Sequence, residues 1–453
     1  MRVHFIGIGG IGMSALAQYY LASGHQVSGS DLAPSEMTVL LRKKGARIFI
    51  GRHKPGNLPK SIDMVIYTPA APNSNPELRY AHTLSASAKG VSVSGGKRYP
   101  LKILSYPEVL GELTKKYFTI AVSGTHGKST TTAMTALILV RAGLDPTVIV
   151  GAKLKEFSNS NFRMGKSKYL VIEADEHFAS FLHYWPQMIV LTNIEEDHLD
   201  YYKSLKNILG AFRQYIEHLP KDGMLIVNAD GKNSKFKIQN SKLHCKIQNY
   251  SLYQKEAEQL RRVLQVPGAH NIANALAALS AARALKIPDR ISLKALSEYK
   301  GAWRRFEIKR FQVSGYRLQV ISDYAHHPTE VQATIQAAKE RFPGKKIWAV
   351  FQPHQLARTA AFFDKFIGAF DGVDAVVLTK IFEVQGREGK KPPKGRDAKA
   401  LAAEIKKSKP RTYFVPNFRR IPSFIVKKMG KEDVVLIMGA GDIYKINEAK
   451  FWN

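Results

Sequence analysis

TIAVSGTHGKSTTT, residues 119–132, decides the fold: an apolar β-rich run enters a glycine turn bearing lysine and serine, then continues as a helix. Such turns aim backbone N–H groups at phosphate from a helix N-terminus, where the helix dipole also favours negative charge. Gly124, Gly127, Lys128 and Ser129 supply what a triphosphate needs: amide donors, an ammonium for the terminal phosphates and a hydroxyl for Mg²⁺. Thr125, His126 and Thr130 complete the loop as nucleotide-contacting candidates. The loop is one glycine short, because the common phosphate loop has glycine five positions before its Gly-Lys pair and Val122 stands there. The omission shortens the turn and removes no chemical group.

Two further strands run into glycine turns, in VHFIGIGGIGMSALA from Val3 and VVLIMGAGDIYKI from Val434. A strand feeding a helix through a tight loop is the unit of doubly wound α/β sheets. With 453 residues, the chain is too long for one core and suggests about three domains. The expected architecture is α/β with three domains: residues 1–105 Rossmann-like, 106–298 a P-loop-type mononucleotide-binding sheet, and 299–453 Rossmann-like. The proline, glycine and charge of GREGKKPPKGR, 386–396, predict an exposed loop.

Gly7, Gly9 and Gly12 satisfy G-x-G-x-x-G after a strand, and Asp31 ends a second strand 19 residues beyond Gly12. Gly9, Gly10, Ile11 and Gly12 are therefore candidates for a nucleotide diphosphate, with Asp31 on a ribose hydroxyl. That pattern alone does not say whether the ligand is NAD. Around the phosphate loop, YLVIEADE ends a strand at Glu173 and MIVLTNIEEDH reaches Asp197 and His198. Parallel sheets gather ligands beyond the carboxyl ends of their strands, so Glu173 and His198 join Ser129 as candidates for a metal beside the γ-phosphate. In PGAHNIANALAALSAA, 267–282, Asn271 stands at a helix start, either to pair with an adenine edge or to cap the helix.

Bulk properties narrow the classes. A formal charge of +31 suggests nucleic acid, but the longest uninterrupted basic run is Arg42-Lys43-Lys44 and no RNA-recognition signature is present, so no nucleic-acid partner is expected. The lone Cys245 excludes an internal disulfide and a cysteine-based zinc site. No apolar run approaches the roughly 18 residues of a membrane span, and Met1–Gly12 has no leader pattern, so a cytoplasmic protein is expected.

SGTHGKST resembles the short phosphate loop of the Mur ligases of peptidoglycan synthesis. GIGGIGMSALA, EADEHFASFL, TNIEEDHLDYY, HNIANALAA, DYAHHPTEV, FQPHQLART and MGAGDI follow in that family's order, and resemble most its branch that adds L-alanine to UDP-N-acetylmuramate. The resemblance implies that the first domain binds UDP-N-acetylmuramate rather than NAD, the second MgATP, and that the third closes over both with L-alanine. It implies an amide-forming ligase working through an acyl phosphate, as a monomer or weak homodimer. A branch that attaches a recycled tripeptide to the same sugar nucleotide is the alternative; an NAD-dependent oxidoreductase or a nucleic-acid-dependent ATPase is more remote. Phe212, Arg213 and Gln214 stand where sister ligases carry a carbamylated lysine. Gln355 replaces a basic residue common in the family, and an arginine common near Tyr106 is missing, which leaves substrate contacts at those places open.

An acyl phosphate requires a carboxylate to meet a γ-phosphate, so cations must be in place beforehand. Lys128, Mg²⁺ on Ser129 and Glu173, and a second Mg²⁺ near Glu173 and His198 meet that need. Arg358 is a candidate for the transferring phosphate or the amino acid carboxylate, and Arg305 for a phosphate on domain closure. In DYAHHPTE, Tyr324 is a substrate-contact candidate, and neighbouring side chains of an extended segment point apart, so one histidine faces the substrate. His327 is the expected one, as proton acceptor or amino acid contact; Asp323 either holds the incoming ammonium or orients Arg358.

Overall fold

The computed structural model describes residues 1–87, 91–92, 98–231, 233, 243–313, 316–384 and 394–452. Residues 386–393 of the expected exposed loop lie outside them. Three main sheets follow one another along the chain. The first is fully parallel, with spatial order Arg47–Ile50, Gln26–Asp31, Arg2–Ile6, Met64–Tyr67, Lys102–Ser105. Parallel strands covered on both faces read as continuous apolar runs. His4 interrupts one such run while fully buried, because its ring bonds Ser28 Oγ at 2.9 Å and Glu77 Oε2 at 3.2 Å. Burial opposes charge on Glu77, but bonds from His4, His53, Ser30 and Asn57 outweigh it and hold the carboxyl far below its ordinary range.

The middle sheet has the order Ser160–Arg163, Thr147–Leu154, Tyr169–Glu173, Phe118–Ser123, Met188–Leu191, Met224–Asn228, Lys246–Tyr250. Only the first strand runs antiparallel. Strand Phe118–Ser123 is central, and its neighbours are the two strands whose ends carry the acid and histidine candidates. Glu173 pairs in register with Val122 and Leu191 with Ser123, so both following loops open beside the phosphate loop. Helices Lys128–Arg141 and Ala269–Ala284 pack on this sheet through Ala133, Ala136, Ala275, Ala278 and Ala282, whose small side chains permit close approach.

The antiparallel edge strand also docks the first domain. Gln18 Nε2 donates to Asn161 Oδ1 at 2.8 Å, Ser160 Oγ donates to Gln18 Oε1 at 2.9 Å, and Asn161 Nδ2 reaches Ile11 O at 2.5 Å. These buried polar groups satisfy one another, which fixes helix Ile11–Ala22, and with it the first glycine turn, against the middle domain.

The third sheet begins with an antiparallel hairpin, Glu307–Val313 and Tyr316–Asp323, and continues in parallel as Val434–Met438, Ile347–Phe351, Ala375–Leu378, Thr412–Phe414. Its glycine turn differs from the expected strand-loop-helix. After Met438 the chain passes through Gly439 into a short 3₁₀ turn, Asp442–Ile446, and the carbonyls of Gly439 and Gly441 receive the Arg304 guanidinium. A loop whose carbonyls hold a cation is not an anion cradle.

Candidate active site

The phosphate loop is built as the sequence requires. Gly124 has φ +131° and Gly127 has φ +84°, both in the region that favours glycine. A Cβ on Gly127 would lie 2.3 Å from Asn274 Oδ1, so the loop is also closed against helix Ala269–Ala284. Lys128 opens its helix, and its ammonium donates to Gly124 O at 2.8 Å and to Glu176 Oε2 at 2.7 Å and Oε1 at 3.0 Å. Burial opposes the charge, but the carboxylates of Glu176, Asp175 and Glu173 outweigh it and raise the lysine above its ordinary pKa. Glu176 was not foreseen among the site residues.

Two cavities border this loop, and a third adjoins the second of them. The first, of about 310 Å³, is lined by His126, Gly127, Thr130, Asn271, Asn274, Arg305 and Glu330. The second, of about 410 Å³, is lined by Thr125, Gly127, Lys128, Ser129, Glu173, His198, Arg305, Tyr324, His326 and Arg358. The third, of about 280 Å³, is lined by Gly10, Ile11, Gly12, Tyr106, Glu173, His177 and Phe178. Gly127, Arg305 and Glu330 are common to the first two, and Ile11, Gly151, Glu173, Asp175 and His177 to the last two. A continuous track therefore runs from Asn271 past Lys128 to the first glycine turn.

Asn271 lies in that track but is not the helix cap. Gly268 holds the cap position, and the Asn271 amide donates to Pro267 O at 2.7 Å. At the other end, Asp31 Oδ2 accepts from Gly9 N at 2.8 Å, so the carboxylate meant for a ribose clamps its own glycine turn. Glu173 Oε2 accepts from Gly151 N at 2.8 Å at the edge between two cavities. Burial pushes His198 down to about 3, so its ring is neutral and able to ligate a metal.

The third domain brings its residues to the middle cavity in a different pairing from that expected. Arg358 is buried, and its guanidinium donates to Asp197 Oδ1 from Nε at 3.0 Å and from Nη2 at 2.9 Å. Asp323 does not orient it; that carboxylate accepts from Phe306 N and Ala325 N, each at 2.8 Å. His326, not His327, faces the cavity beside Tyr324 and His354. His327 is the N-cap of helix Pro328–Arg341, and its Nδ1 accepts from Thr329 N at 3.3 Å. The arginine pair also divides: Arg304 is locked on the glycine carbonyls beneath Tyr444 and Tyr324, while Arg305 lines both the first and second cavities.

His126 joins the two domains directly. Its Nδ1 lies 3.1 Å from Glu330 Oε1 and its Nε2 lies 3.6 Å from Glu195 Oε2. Burial opposes the proton, but the carboxylates of Glu195 and Glu330 dominate and push the ring up to about 10. His126, Glu195 and His327 offer ligand atoms within 4.8 Å of one another. Burial lowers His327 to about 4, and the N–H it accepts at Nδ1 places the neutral ring's proton on Nε2, a tautomer that donates rather than ligates. Nε2 of His126 and of His327 are both buried without a hydrogen-bond partner among the described residues, so the clasp between the domains rests on His126 Nδ1 with Glu330, on Thr329 Oγ1 donating to Glu195 Oε2 at 2.8 Å, and on the charge pair of His126 with Glu195.

Comparison with known proteins gives three family matches along the chain: "Mur ligase family, catalytic domain" over residues 2–118, "Mur ligase middle domain" over 122–282, and "Mur ligase, glutamate ligase domain" over 304–441. The UDP-N-acetylmuramate–L-alanine ligase of Clostridium novyi is 39% identical over 467 residues, which cover 99% of this chain and 96% of the relative. That of Acetivibrio thermocellus is 38% identical over 473 residues, covering 99% and 95%. The crystal structure of UDP-N-acetylmuramate-alanine ligase from Thermotoga maritima superposes with a TM-score of 0.79 at 28% identity, covering 100% of this chain and 98% of that one. A murein peptide ligase from Psychrobacter arcticus shares the fold at a TM-score of 0.70 and 24% identity, covering 100% and 99%.

Proposed function

The chain belongs to the Mur ligase family, and on that premise we propose that it joins L-alanine to the lactyl carboxylate of UDP-N-acetylmuramate at the expense of ATP. The observation that carries this reading is the continuous track, with a nucleotide-sized cavity at one end, the dinucleotide-like turn at the other and Lys128 between them. An NAD site would leave the phosphate loop without a task. Among the described residues no helix is long and apolar enough to cross a membrane, and soluble nucleotide substrates assign the reaction to the cytoplasm.

The adenine of ATP enters the cavity beside Asn271, and its phosphates lie on the amides of residues 124–130 with Lys128 at the terminal groups. One lactyl oxygen attacks the γ-phosphorus, ADP leaves, and an acyl phosphate forms. The amine of L-alanine then attacks the acyl carbon and phosphate departs. Tyr324, His326 and His354 face this chamber and are the residues suited to hold the amino acid, with His326 the acceptor for the amine proton. Ser129, Glu173 and the neutral ring of His198 suit Mg²⁺, which keeps several waters and takes only one or two protein carboxylates alongside phosphate oxygens. When bound, Mg²⁺ supplies positive charge to the phosphate oxygens.

Phosphate release with UDP-N-acetylmuramate and ATP, comparing L-alanine, glycine, L-serine and the tripeptide L-alanyl-γ-D-glutamyl-diaminopimelate, tests the assignment. L-Alanine should give the highest kcat/KM. Turnover with the tripeptide alone would transfer the chain to the recycling activity.

A further inference from the structure

The segment that follows Glu173 carries two consecutive non-glycine residues in the left-handed region, Phe178 at φ +54° and Ala179 at φ +53°. A bulky side chain is uncommon there, and such outliers persist only where the surroundings impose them. Ala179 N donates to Glu176 O at 2.8 Å, Phe181 N to Asp175 O at 3.0 Å, and Tyr202 Oη to Glu176 O at 2.5 Å. The turn lets Glu176 point back at Lys128 while the next two side chains run along the cavity wall.

Those side chains form a pile of rings. Phe178 stacks on His177 with centroids 4.1 Å apart and planes at 17°, and His177 stacks on His198 at 4.0 Å and 13°. Tyr201 meets the outer ring edge-on at 5.4 Å. Phe178 nevertheless stays 38% exposed and lines the cavity of about 280 Å³ between Gly10–Gly12 and the reaction chamber. A diphosphate on the glycine turn and a carboxylate at Lys128 leave that cavity to the pyranose ring joining them. Sugar rings present a face of C–H groups that packs on the negative face of an aromatic ring.

We propose that Phe178, braced through His177 on His198, is the platform for the pyranose ring, and that it makes the protein select the sugar nucleotide over the bare nucleotide diphosphate. The proposal rests on the ligase reading above. Because the stack ends on His198, the ring that reads the sugar and the ring suited to the metal are set by one rigid unit.

Titration calorimetry of UDP-N-acetylmuramate and of UDP separates this role from a structural one. Phe178→Gly removes the ring while adopting the same backbone without strain, so folding is preserved, and a thermal melt checks it. Its affinity for UDP-N-acetylmuramate should fall roughly tenfold while that for UDP stays within about twofold, and Phe178→Tyr should restore the first. Unchanged affinity for the sugar nucleotide, or an equal loss for both ligands, would overturn the platform. Equal wild-type affinities for UDP-N-acetylmuramate and UDP would likewise overturn the platform, whereas a wild-type protein that binds neither ligand would defeat the ligase reading itself.

Discussion

Replacing Glu176 with glutamine should strengthen ATP binding while weakening the ligand-free protein. In the present structure the Lys128 ammonium has two contacts to Glu176, at 2.7 and 3.0 Å, one to Gly124 O at 2.8 Å and one to Thr125 O at 3.3 Å. The Glu176 side chain is only 3% exposed, so solvent screens this pair little. A hydrogen bond to a charged group contributes about 1.5–3 kcal/mol, and glutamine retains one acceptor at nearly the same volume, so a net loss of ~2 kcal/mol is expected. For a domain of this size that lowers Tm by about 4–8 °C. Phosphate must take the ammonium away from Glu176, whose carboxyl is pushed up to about 8 by burial even beside Lys128, so the parted group either takes up a proton or repels the phosphate. Glu176→Gln removes both penalties, and their sum should tighten ATP by up to about tenfold, or ~1.4 kcal/mol. Scanning fluorimetry without ligand, paired with calorimetric titration of a non-hydrolysable ATP analogue, measures the two effects. Weaker binding of the analogue by the variant would refute the reasoning, since Glu176 would then be a partner of the nucleotide and not its stand-in.

Lys128→Ala should abolish turnover and leave UDP-N-acetylmuramate affinity within about twofold, because the glycine turn of the first domain and Phe178, not Lys128, hold the sugar nucleotide; calorimetry and phosphate release check the pair. Arg358→Ala strands a buried carboxylate, but Asp197 and Arg358 belong to different domains, so opening lets water reach the charge. The cost of about 3–5 kcal/mol should therefore appear as a shift from closed to open. Small-angle scattering should show a larger radius of gyration, with little change in either domain's melting. The His126 clasp gives a pH dependence of definite sign. Its pKa is raised to about 10 in the closed protein, so its contribution is complete below the unperturbed value near 6.5 and is lost as pH rises through about 10. Glu195, lowered to about 2 chiefly by its pairing with His126, contributes above its ordinary range and loses that only as pH falls through about 2. The excess closure of wild type over His126→Asn should thus be greatest between about pH 4.5 and 6.5 and decline above it, measured by inter-domain energy transfer.

The sequence made the local chemistry legible and the pairing across domains illegible. Strand, glycine and helix start are written within a dozen residues, so the loop at 119–132 could be read directly. Glu173 and His198 could be placed because parallel strands end at one edge. Arg358 and Asp197, 161 positions apart, meet only because the third domain docks as it does, and no local pattern encodes that. Glu176 was hidden for a different reason: a left-handed turn at Phe178 and Ala179 reverses the chain, and neither residue type announces it. The choice between His326 and His327 was legible in retrospect. Pro328 at the first helical position and Glu330 two residues later make His327 a cap, with the Glu330 carboxylate returned to its N–H at 3.2 Å, and a capping side chain turns towards its own helix.

The charge on the chamber walls yields a final prediction. Its lining carries Lys128, Arg304, Arg305 and Arg358 against Glu173, Asp175, Asp197 and Glu330, four of each sign. Three of the cations already have partners: Lys128 holds Glu176, Arg304 the carbonyls of Gly439 and Gly441, and Arg358 holds Asp197. The +31 charge of the whole chain is therefore not concentrated where a triphosphate and a carboxylate must meet. Two anions entering a balanced site repel each other unless cations arrive with them, and long-range attraction from the basic surface is screened beyond roughly 8 Å at physiological salt. ATP should consequently bind at least roughly tenfold more weakly without Mg²⁺ than with it, and chelation should abolish acyl phosphate formation rather than merely slow it. Calorimetric titration of ATP with and without Mg²⁺, alongside ADP formation in the absence of amino acid, measures both. Equal affinity for free ATP would mean that the chamber's own cations suffice, and that Lys128 exchanges its carboxylate partner without help.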